Sequence, residues 1–230
     1  MIIQTYTVLN HGQHQLKIKR LSLKETTQQA LLILPEIWGI NLYIQKIAEH
    51  YLKLGFDIFL PDIYWRQQEN VALGYDEIDT NLARKLYENL DLLQSSQDID
   101  QIIEFIFNLK NSYKLAILGF CMGGTLTYQI NHAKVSALIT YYGSQISNLF
   151  DAIKKIEKPI LFHLAENDHL INHQEIASLI KLSFKKTNFH IFTYPNTGHG
   201  FDCAYRANFS LEASELALNR SKSFLIQNMA

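Results

Sequence analysis

The fold of this chain is decided by the stretch Leu115-Ala-Ile-Leu-Gly-Phe-Cys-Met-Gly-Gly-Thr125. An apolar run stops at Gly119 and a helix-like segment follows Gly124, so the pattern predicts a sharp strand-to-helix turn with Cys121 at its apex. Such a turn needs small residues two positions before and after the apex, because a Cβ there would collide with backbone, and Gly119 and Gly123 meet this need. The stretch therefore predicts a nucleophile elbow, in which free N–H groups of the helix N-terminus point at the sulfur.

A cysteine in such a turn also has a structural interpretation. Unpaired cysteine is among the most buried residue types and often serves only as a small apolar side chain. Short glycine-flanked motifs occur by chance as well. The motif G-x-C-x-G-G alone leaves both roles open, and the choice depends on the partners that the rest of the chain supplies.

Composition predicts one globular domain over residues 1–230. The chain is 47% hydrophobic and 19% charged, without linker or charge block, so it can bury a substantial core. A net charge of -1 gives no general field for nucleic acid or an anionic membrane. Cys121 and Cys203 are expected to stay reduced. No basic leader or membrane-length apolar window is present, which predicts a soluble, cytoplasmic protein.

Short apolar strands alternate with amphipathic helices along the chain. A hairpin is predicted from strands at 2–9 and 15–19. Further strands are predicted at 30–34, 56–60, 114–118, 137–140, 159–164 and 189–193. Helices are predicted at 44–52 and 79–92, two more are predicted to begin at residues 95 and 172, and a last helix is predicted to end at about residue 224. This alternation predicts a mostly parallel twisted sheet with helices on both faces, in which ligands bind beyond the carboxyl ends of the strands.

Two helix starts carry specific predictions. Ser95 and Asp98 have the spacing of a capping box, which predicts a helix beginning at Ser95. Asn172 and Glu175 have the same spacing. The second box leaves Asp168 in the loop between a strand and a helix.

Four reactive side chains follow predicted strand ends, namely those of Glu36, Cys121, Asp168 and His199. The order of nucleophile, acid and histidine is that of the α/β-hydrolases. A neutral thiol is a poor nucleophile, so His199 is expected to take its proton, while Asp168 fixes the imidazole tautomer and stabilises the imidazolium. The partners that the cysteine requires are therefore present in the sequence.

The segments that carry these residues resemble the dienelactone hydrolases (carboxymethylenebutenolidases). The matching segments span nearly the whole chain and are Leu34–Gly39, Pro61–Arg66, Gly119–Gly124, Asn167-Asp168, and Gly198–Phe201 with Arg206. The resemblance implies an α/β-hydrolase fold that acts, without cofactor or metal, on an enol-lactone such as dienelactone and opens it to maleylacetate. One departure is Phe209, where the family pattern leads us to expect tyrosine, and this difference bears on substrate choice.

The resemblance also implies roles for individual residues. Cys121 matches the nucleophile, His199 the base, Asp168 the residue that orients it, and Glu36 a carboxylate partner of the thiol. The oxyanion hole is implied to consist of the backbone N–H groups of Ile37 and Met122. Two arginines, Arg66 and Arg206, match those that hold a substrate carboxylate, although each also has an ordinary interpretation as a surface charge.

The expected partner is a small carboxylate-bearing lactone or ester. Neither nucleic acid nor a membrane is expected to bind, and the protein is expected to be a monomer or a small homo-oligomer. No metal is expected, because His163, His169 and His173 lack a Cys or Glu that would complete a ligand set. Two alternatives stay open: another acyl substrate such as a thioester, or a catalytically silent relative that binds a carboxylate or senses oxidants through Cys121.

Overall fold

The computed structural model describes residues 1–23 and 27–229 of the chain. The chain forms two compact units, Met1–Leu115 and Ala116–Ala230. The prediction of one domain over residues 1–230 stays a prediction. Within the described residues, no helix combines the length and apolarity needed to cross a membrane.

The first unit combines an antiparallel hairpin with a parallel strand pair. Its elements are β1 Ile2–His11, β2 His14–Ser22, β3 Gln29–Leu34, α1 Leu42–Lys53, β4 Asp57–Pro61, α2 Glu77–Glu88 and α3 Leu92–Leu109. The predicted hairpin is confirmed, since β1 pairs with β2 along its length, with Ile2 opposite Ser22 at one end and His11 opposite His14 at the other. Strand β4 pairs antiparallel with β2 and parallel with β3. β3 and β4 are buried almost throughout, as expected for strands written as continuous apolar runs.

The second unit alternates strands and helices, as the sequence pattern predicted. Its elements are β5 Lys114–Phe120, which begins just before the unit boundary, α4 Met122–Thr127, β6 Val135–Tyr141, α5 Phe150–Lys155, β7 Ile160–Ala165, α6 His173–Ser183, β8 Phe189–Tyr194 and α7 Leu211–Met229. The strands lie in the order β5-β6-β7-β8, and both the β6–β7 and β7–β8 pairs are parallel. The carboxyl ends of β6, β7 and β8 therefore lie at one edge of the sheet.

The predicted start of α3 at Ser95 is wrong. Asp91 caps this helix instead, because its carboxylate accepts a hydrogen bond from the Gln94 N–H at 3.0 Å. Ser95 lies inside the helix and donates to the Asp91 carbonyl at 2.8 Å. The new helix begins soon after residue 91, so the preceding helix ends at Glu88 rather than at the predicted residue 92.

The predicted cap of α6 is confirmed. The Glu175 N–H donates to the Asn172 side chain at 3.0 Å, and the Asn172 N–H donates back to the Glu175 carboxylate at 3.1 Å. The same carboxylate also accepts from the Ser147 N–H at 2.9 Å. The start of this helix, and with it the loop that carries Asp168, is therefore fixed by local hydrogen bonds.

Two features of the second unit were missed. The short helix α5 has six residues and no side-chain cap, so it carries little periodic signal. Helix α7 continues to Met229, past the predicted end near residue 224. Its later residues Leu225 and Met229 are buried, so packing prolongs a helix that the sequence pattern ended early.

Candidate active site

Cys121 lies at a strained strand-to-helix turn. It follows β5 directly, has φ 51° and ψ -111°, and precedes the first residue of α4. This conformation is rare for a residue with a side chain and costs about 1–3 kcal/mol. Two backbone hydrogen bonds hold it, from the Cys121 N–H to the Tyr141 carbonyl at 3.0 Å and from the Thr125 N–H to the Cys121 carbonyl at 2.9 Å. The predicted sharp turn is confirmed.

Close approach of neighbouring atoms explains Gly119 and Gly124 in this turn. A Cβ on Gly119 would lie 2.2 Å from the Gly123 carbonyl oxygen. On Gly124, a Cβ would lie 2.7 Å from the Thr140 hydroxyl and 2.9 Å from the Gly143 Cα. Both positions therefore exclude larger residues through contact with groups that cannot easily move.

We expect Gly119→Ala to lower the free energy of unfolding by about 2 kcal/mol or more, because the added methyl group meets backbone rather than a flexible side chain. The measurement is urea denaturation of the variant and the wild type. Gly74→Ala is the matched control, since its Cβ would meet only side-chain oxygens of Asp79 and Asp76. An equal loss in both variants would show that the elbow does not specifically require this glycine.

The structure brings Cys121, His199 and Asp168 into one chain of contacts, here called the Cys-His-Asp cluster. The His199 Nε2 atom lies 3.1 Å from the Cys121 sulfur, and Nδ1 lies 2.8 and 3.0 Å from the two Asp168 oxygens. Asp168 also accepts from the Leu170 N–H at 2.8 Å. All three side chains are buried.

The His199 loop is held on several sides. Gly200 has φ 81°, a left-handed conformation that glycine adopts without strain. The Tyr142 ring meets the imidazole edge-on with centroids 5.0 Å apart, and the Asn208 amide donates to the His199 carbonyl at 3.1 Å. The His169 ring is also close to the imidazole, with centroids 5.6 Å apart.

Sequence reasoning missed Tyr142 and His169 as neighbours of His199. Tyr142 follows β6 directly and His169 follows Asp168, so both stand just beyond strand ends, which was the available signal.

The electrostatics of the cluster favour a charged imidazole. Burial lowers the pKa of His199, but the charges and hydrogen bonds of the adjacent Cys121 and Asp168 side chains outweigh burial and raise this pKa to about 10. An imidazolium formed at His199 is therefore stabilised by the Asp168 carboxylate on one side and by the Cys121 sulfur on the other. Chemically, the arrangement can supply a nucleophile and a proton donor from adjacent atoms.

Arg206 lies against the backbone beside His199. A Cβ built on Gly200 would be 2.1 Å from a terminal nitrogen of Arg206, so the guanidinium packs directly on this glycine. The Arg206 N–H donates to the Cys203 carbonyl at 3.0 Å, and Phe209, the departure from the family pattern, is partly exposed nearby in sequence. The structure therefore brings a cation next to the cluster.

Glu36 and Ile37 follow β3 in the first unit. The Glu36 side chain is fully buried and accepts a hydrogen bond from the Tyr75 hydroxyl at 2.9 Å. The Tyr75 ring in turn contacts Trp38, with centroids 4.7 Å apart. The Glu36 carbonyl accepts from the Gly39 N–H at 3.1 Å, which tightens the turn that contains Ile37.

Arg66, also in the first unit, is paired with a carboxylate. Its two terminal nitrogens bind the two oxygens of Asp98, one of them at 2.8 Å, and its guanidinium carbon lies 4.0 Å from the Trp65 ring centroid. The Trp65 indole also donates to Asp98, at 2.9 Å. Asp98, predicted as part of a helix cap, instead anchors this arginine, and a substrate carboxylate at Arg66 would have to compete with it.

His163 is a structural core residue rather than a metal ligand. Its ring nitrogens lie 2.7 Å from the Tyr194 hydroxyl and 2.9 Å from the Ser221 hydroxyl, and Ser221 also contacts the Tyr141 hydroxyl at 2.8 Å. Burial, with a smaller effect from Arg220, lowers the pKa of His163 to about 3, so the ring is neutral. In the described part of the chain, no group of three or more His, Cys, Asp or Glu residues is placed to hold a metal.

Comparison with known proteins identifies the family. The model of the dienelactone hydrolase family matches residues 20–229. Carboxymethylenebutenolidase 1 of Cupriavidus pinatubonensis is 29% identical over 213 residues, which cover 88% of each chain. The carboxymethylenebutenolidase of Pseudomonas sp. (strain P51) is 24% identical over 198 residues, covering 85% of this chain and 83% of that protein.

Solved structures agree on the fold. A structure from Klebsiella pneumoniae with a provisional dienelactone hydrolase name has a TM-score of 0.83 at 19% identity, covering 98% of each chain. The dienelactone hydrolase of Anabaena variabilis has a TM-score of 0.72 at 12% identity, covering 99% of each chain. At these identities the likeness shows the fold alone, which is the α/β-hydrolase fold that the sequence predicted. Since the family model covers nearly the whole chain, this protein belongs to the dienelactone hydrolase family of hydrolases.

Proposed function

We propose that this protein is a cysteine hydrolase that opens an enol-lactone, or a related ester, through an acyl-enzyme on Cys121. The observation that carries the proposal is the 3.1 Å contact between the Cys121 sulfur and His199, whose other ring nitrogen faces Asp168. The relatives named carboxymethylenebutenolidase support a lactone as the substrate class. Asp168 is the orienting residue, His199 the base and acid, and Cys121 the nucleophile.

In the proposed reaction, the proton of the Cys121 thiol passes to Nε2 of His199. The sulfur attacks the lactone carbonyl carbon, and the N–H groups of Ile37 and Met122 are proposed to stabilise the oxyanion. The ring C–O bond then breaks, and the enolate oxygen that leaves receives the proton from His199. Water next gives a proton to His199 and adds to the thioester carbonyl, and the sulfur leaves with that proton, which regenerates the thiol.

The test of the proposal is a panel of enol-lactones, activated esters and thioesters, assayed before and after alkylation with iodoacetamide. We expect lactone or ester turnover that alkylation of Cys121 abolishes. Turnover confined to thioesters would favour the other acyl substrate, whereas absence of turnover on every substrate, with carboxylate binding retained, would favour a silent relative.

The proposed substrate carries a carboxylate, and Arg206 is its proposed ligand beside His199. We expect Arg206→Gln to lower kcat/KM for carboxylate-bearing substrates by the equivalent of about 1.5–3 kcal/mol, because a charge-assisted hydrogen bond is lost. Neutral p-nitrophenyl esters should be affected much less. We expect Arg66→Gln to act in the same direction if Arg66 also serves as a carboxylate ligand.

The matched control for Arg206→Gln is Arg84→Gln, because Arg84 is exposed on α2. Equal losses on charged and neutral substrates would rule out carboxylate recognition as the role of Arg206. An Arg66 effect on both substrate types would instead point to loss of the Arg66–Asp98 pair and its support of the fold.

Glu36 is proposed to keep the resting thiol of Cys121 protonated through like-charge repulsion until substrate binds. We expect Glu36→Gln to speed alkylation of Cys121 by iodoacetamide at neutral pH and to reduce turnover. Glu49→Gln, which neutralises an exposed carboxylate on α1, is the control and should change neither rate. An unchanged alkylation profile in a folded Glu36→Gln variant would contradict the proposal.

A further inference from the structure

A cavity of about 310 Å³ lies between strands β7 and β8 and helix α7. Its apolar lining consists of Leu161, Phe192 and Phe224. Its polar lining consists of His190, Asn219, Arg220, Ser223 and Gln227. None of these residues belongs to the Cys-His-Asp cluster, so this cavity, here called the α7 pocket, is not part of the site described above.

Arg220 is the charged group of the α7 pocket. Its guanidinium carbon lies 3.9 Å from the Phe192 ring centroid and 5.2 Å from that of Tyr194. The guanidinium is thus placed against two aromatic rings of β8. Across residues 1–23 and 27–229, the ion pairs of the structure leave Arg220 without a carboxylate partner. A half-buried guanidinium is thus held flat on aromatic rings, with its charge unneutralised.

The polar lining has one consistent chemistry. Every polar side chain in the pocket carries an N–H or O–H donor, and no acidic side chain is among them. A guanidinium presents its donors as a planar fork that fits the two oxygens of a carboxylate. Amides and a hydroxyl around such a fork can satisfy the remaining lone pairs of the anion. The lining therefore suits an anion and disfavours a cation.

The apolar lining indicates the rest of the ligand. Leu161 and Phe224 are buried beneath the pocket, and the half-buried Phe192 carries Arg220 on its face. The His190 ring closes one side edge-on to Phe224, with centroids 5.3 Å apart. The volume lies at the small end of ligand pockets, which span about 300–1,000 Å³. Such a space fits one ring or a short aliphatic body rather than a nucleotide.

We infer that the α7 pocket binds a small monocarboxylate with a compact apolar body, whose carboxylate pairs with Arg220 while its body packs on Phe192 and Phe224. The inference stands apart from the proposed hydrolysis, since it uses none of the catalytic residues. It assigns to Arg220 a ligand that the described part of the chain does not supply.

The test uses benzoate as the probe and NMR of the arginine side chains as the readout. The chain has five arginines, so their Nε–H signals can be assigned by single substitutions. Benzoate is expected to shift the Arg220 signal saturably. Calorimetric titration with benzoate gives the affinity of each variant, since Arg220→Gln has no Arg220 signal to follow. Arg220→Gln should weaken binding by about tenfold or more, because it removes the charge-assisted pair.

Two further experiments test the charge preference of the pocket and the separate contributions of the carboxylate and the apolar body. Gln227→Glu places an anion at the exposed rim and should weaken benzoate binding by about fivefold or more, without touching the Arg220 stack. Benzyl alcohol and inorganic phosphate should each bind at least about tenfold more weakly than benzoate, since benzyl alcohol lacks the carboxylate and phosphate lacks the apolar body. Arg84→Gln is the charge-matched control and should bind benzoate like the wild type.

Four outcomes would overturn the inference. They are no saturable shift at Arg220, benzoate shifts confined to Arg206, unchanged affinity in both Arg220→Gln and Gln227→Glu, or phosphate binding as tightly as benzoate. Thermal unfolding of each variant identifies any that fails to fold, and Gln227→Glu then decides the question, because its side chain is exposed.

Discussion

Cys121→Ala is expected to lower kcat/KM for lactone or activated-ester hydrolysis by about 10⁴-fold or more, because the variant has no atom that can form the acyl-enzyme. The measurement is steady-state turnover together with mass spectrometry of protein quenched during reaction. The wild type should carry an acyl adduct on the peptide that contains Cys121, and the variant should carry none.

Cys203→Ala is the matched control for this prediction. Both cysteines are buried thiols, and the contacts that define the Cys-His-Asp cluster join Cys121, His199 and Asp168. We expect Cys203→Ala to keep turnover within a few-fold of the wild type and to keep the adduct. Turnover in Cys121→Ala within about tenfold of the wild type would contradict a covalent role for this thiol.

Asp168→Asn is expected to lower kcat/KM by about 10³–10⁴-fold while leaving the fold intact. An amide can donate to Nδ1 of His199, and this would select the tautomer that places the proton at Nε2, facing the Cys121 sulfur, so the imidazole could no longer accept the thiol proton. The measurement is the pH profile of kcat/KM. Asp151→Asn, which changes an exposed carboxylate on α5, is the control and should behave like the wild type.

The same substitution has a consequence for stability against pH. The pKa of His199 is raised from an ordinary value near 6.5 to about 10, so the cluster's contribution to folding is fully present below about pH 6.5 and is lost as pH rises through about 10. Removing the Asp168 carboxylate lowers the pKa of His199. The stability difference between wild type and Asp168→Asn should therefore shrink between pH 7 and 10, and a difference that stays constant would show that the carboxylate acts only through packing.

Local patterns predicted what depends on local physics. Short stretches of sequence are enough to predict the strand that leads to Cys121, the glycine at position 119 and the Asn172–Glu175 cap. The predictions for the strand, for Gly119 and for the cap were confirmed, because a sharp turn and a capping box are formed by residues a few positions apart. The start of α3 was wrong for a related reason: Asp91 and Ser95 both have capping side chains, and spacing alone did not decide between them.

The sequence by itself determined the alternation of strands and helices, the elbow at Cys121 and the chain order of Cys121, Asp168 and His199. Only the tertiary structure decided the contacts that residue spacing does not predict. These are the contact of His199 with the Cys121 sulfur, the ion pair of Arg66 with Asp98, and the stacking of Arg220 on Phe192. The physical reason is the sequence distance over which each kind of interaction acts. Hydrophobic periodicity and caps act within one element, whereas a side chain's partner across elements depends on how strands pair and helices pack, which places residues far apart in sequence within a few ångströms of each other.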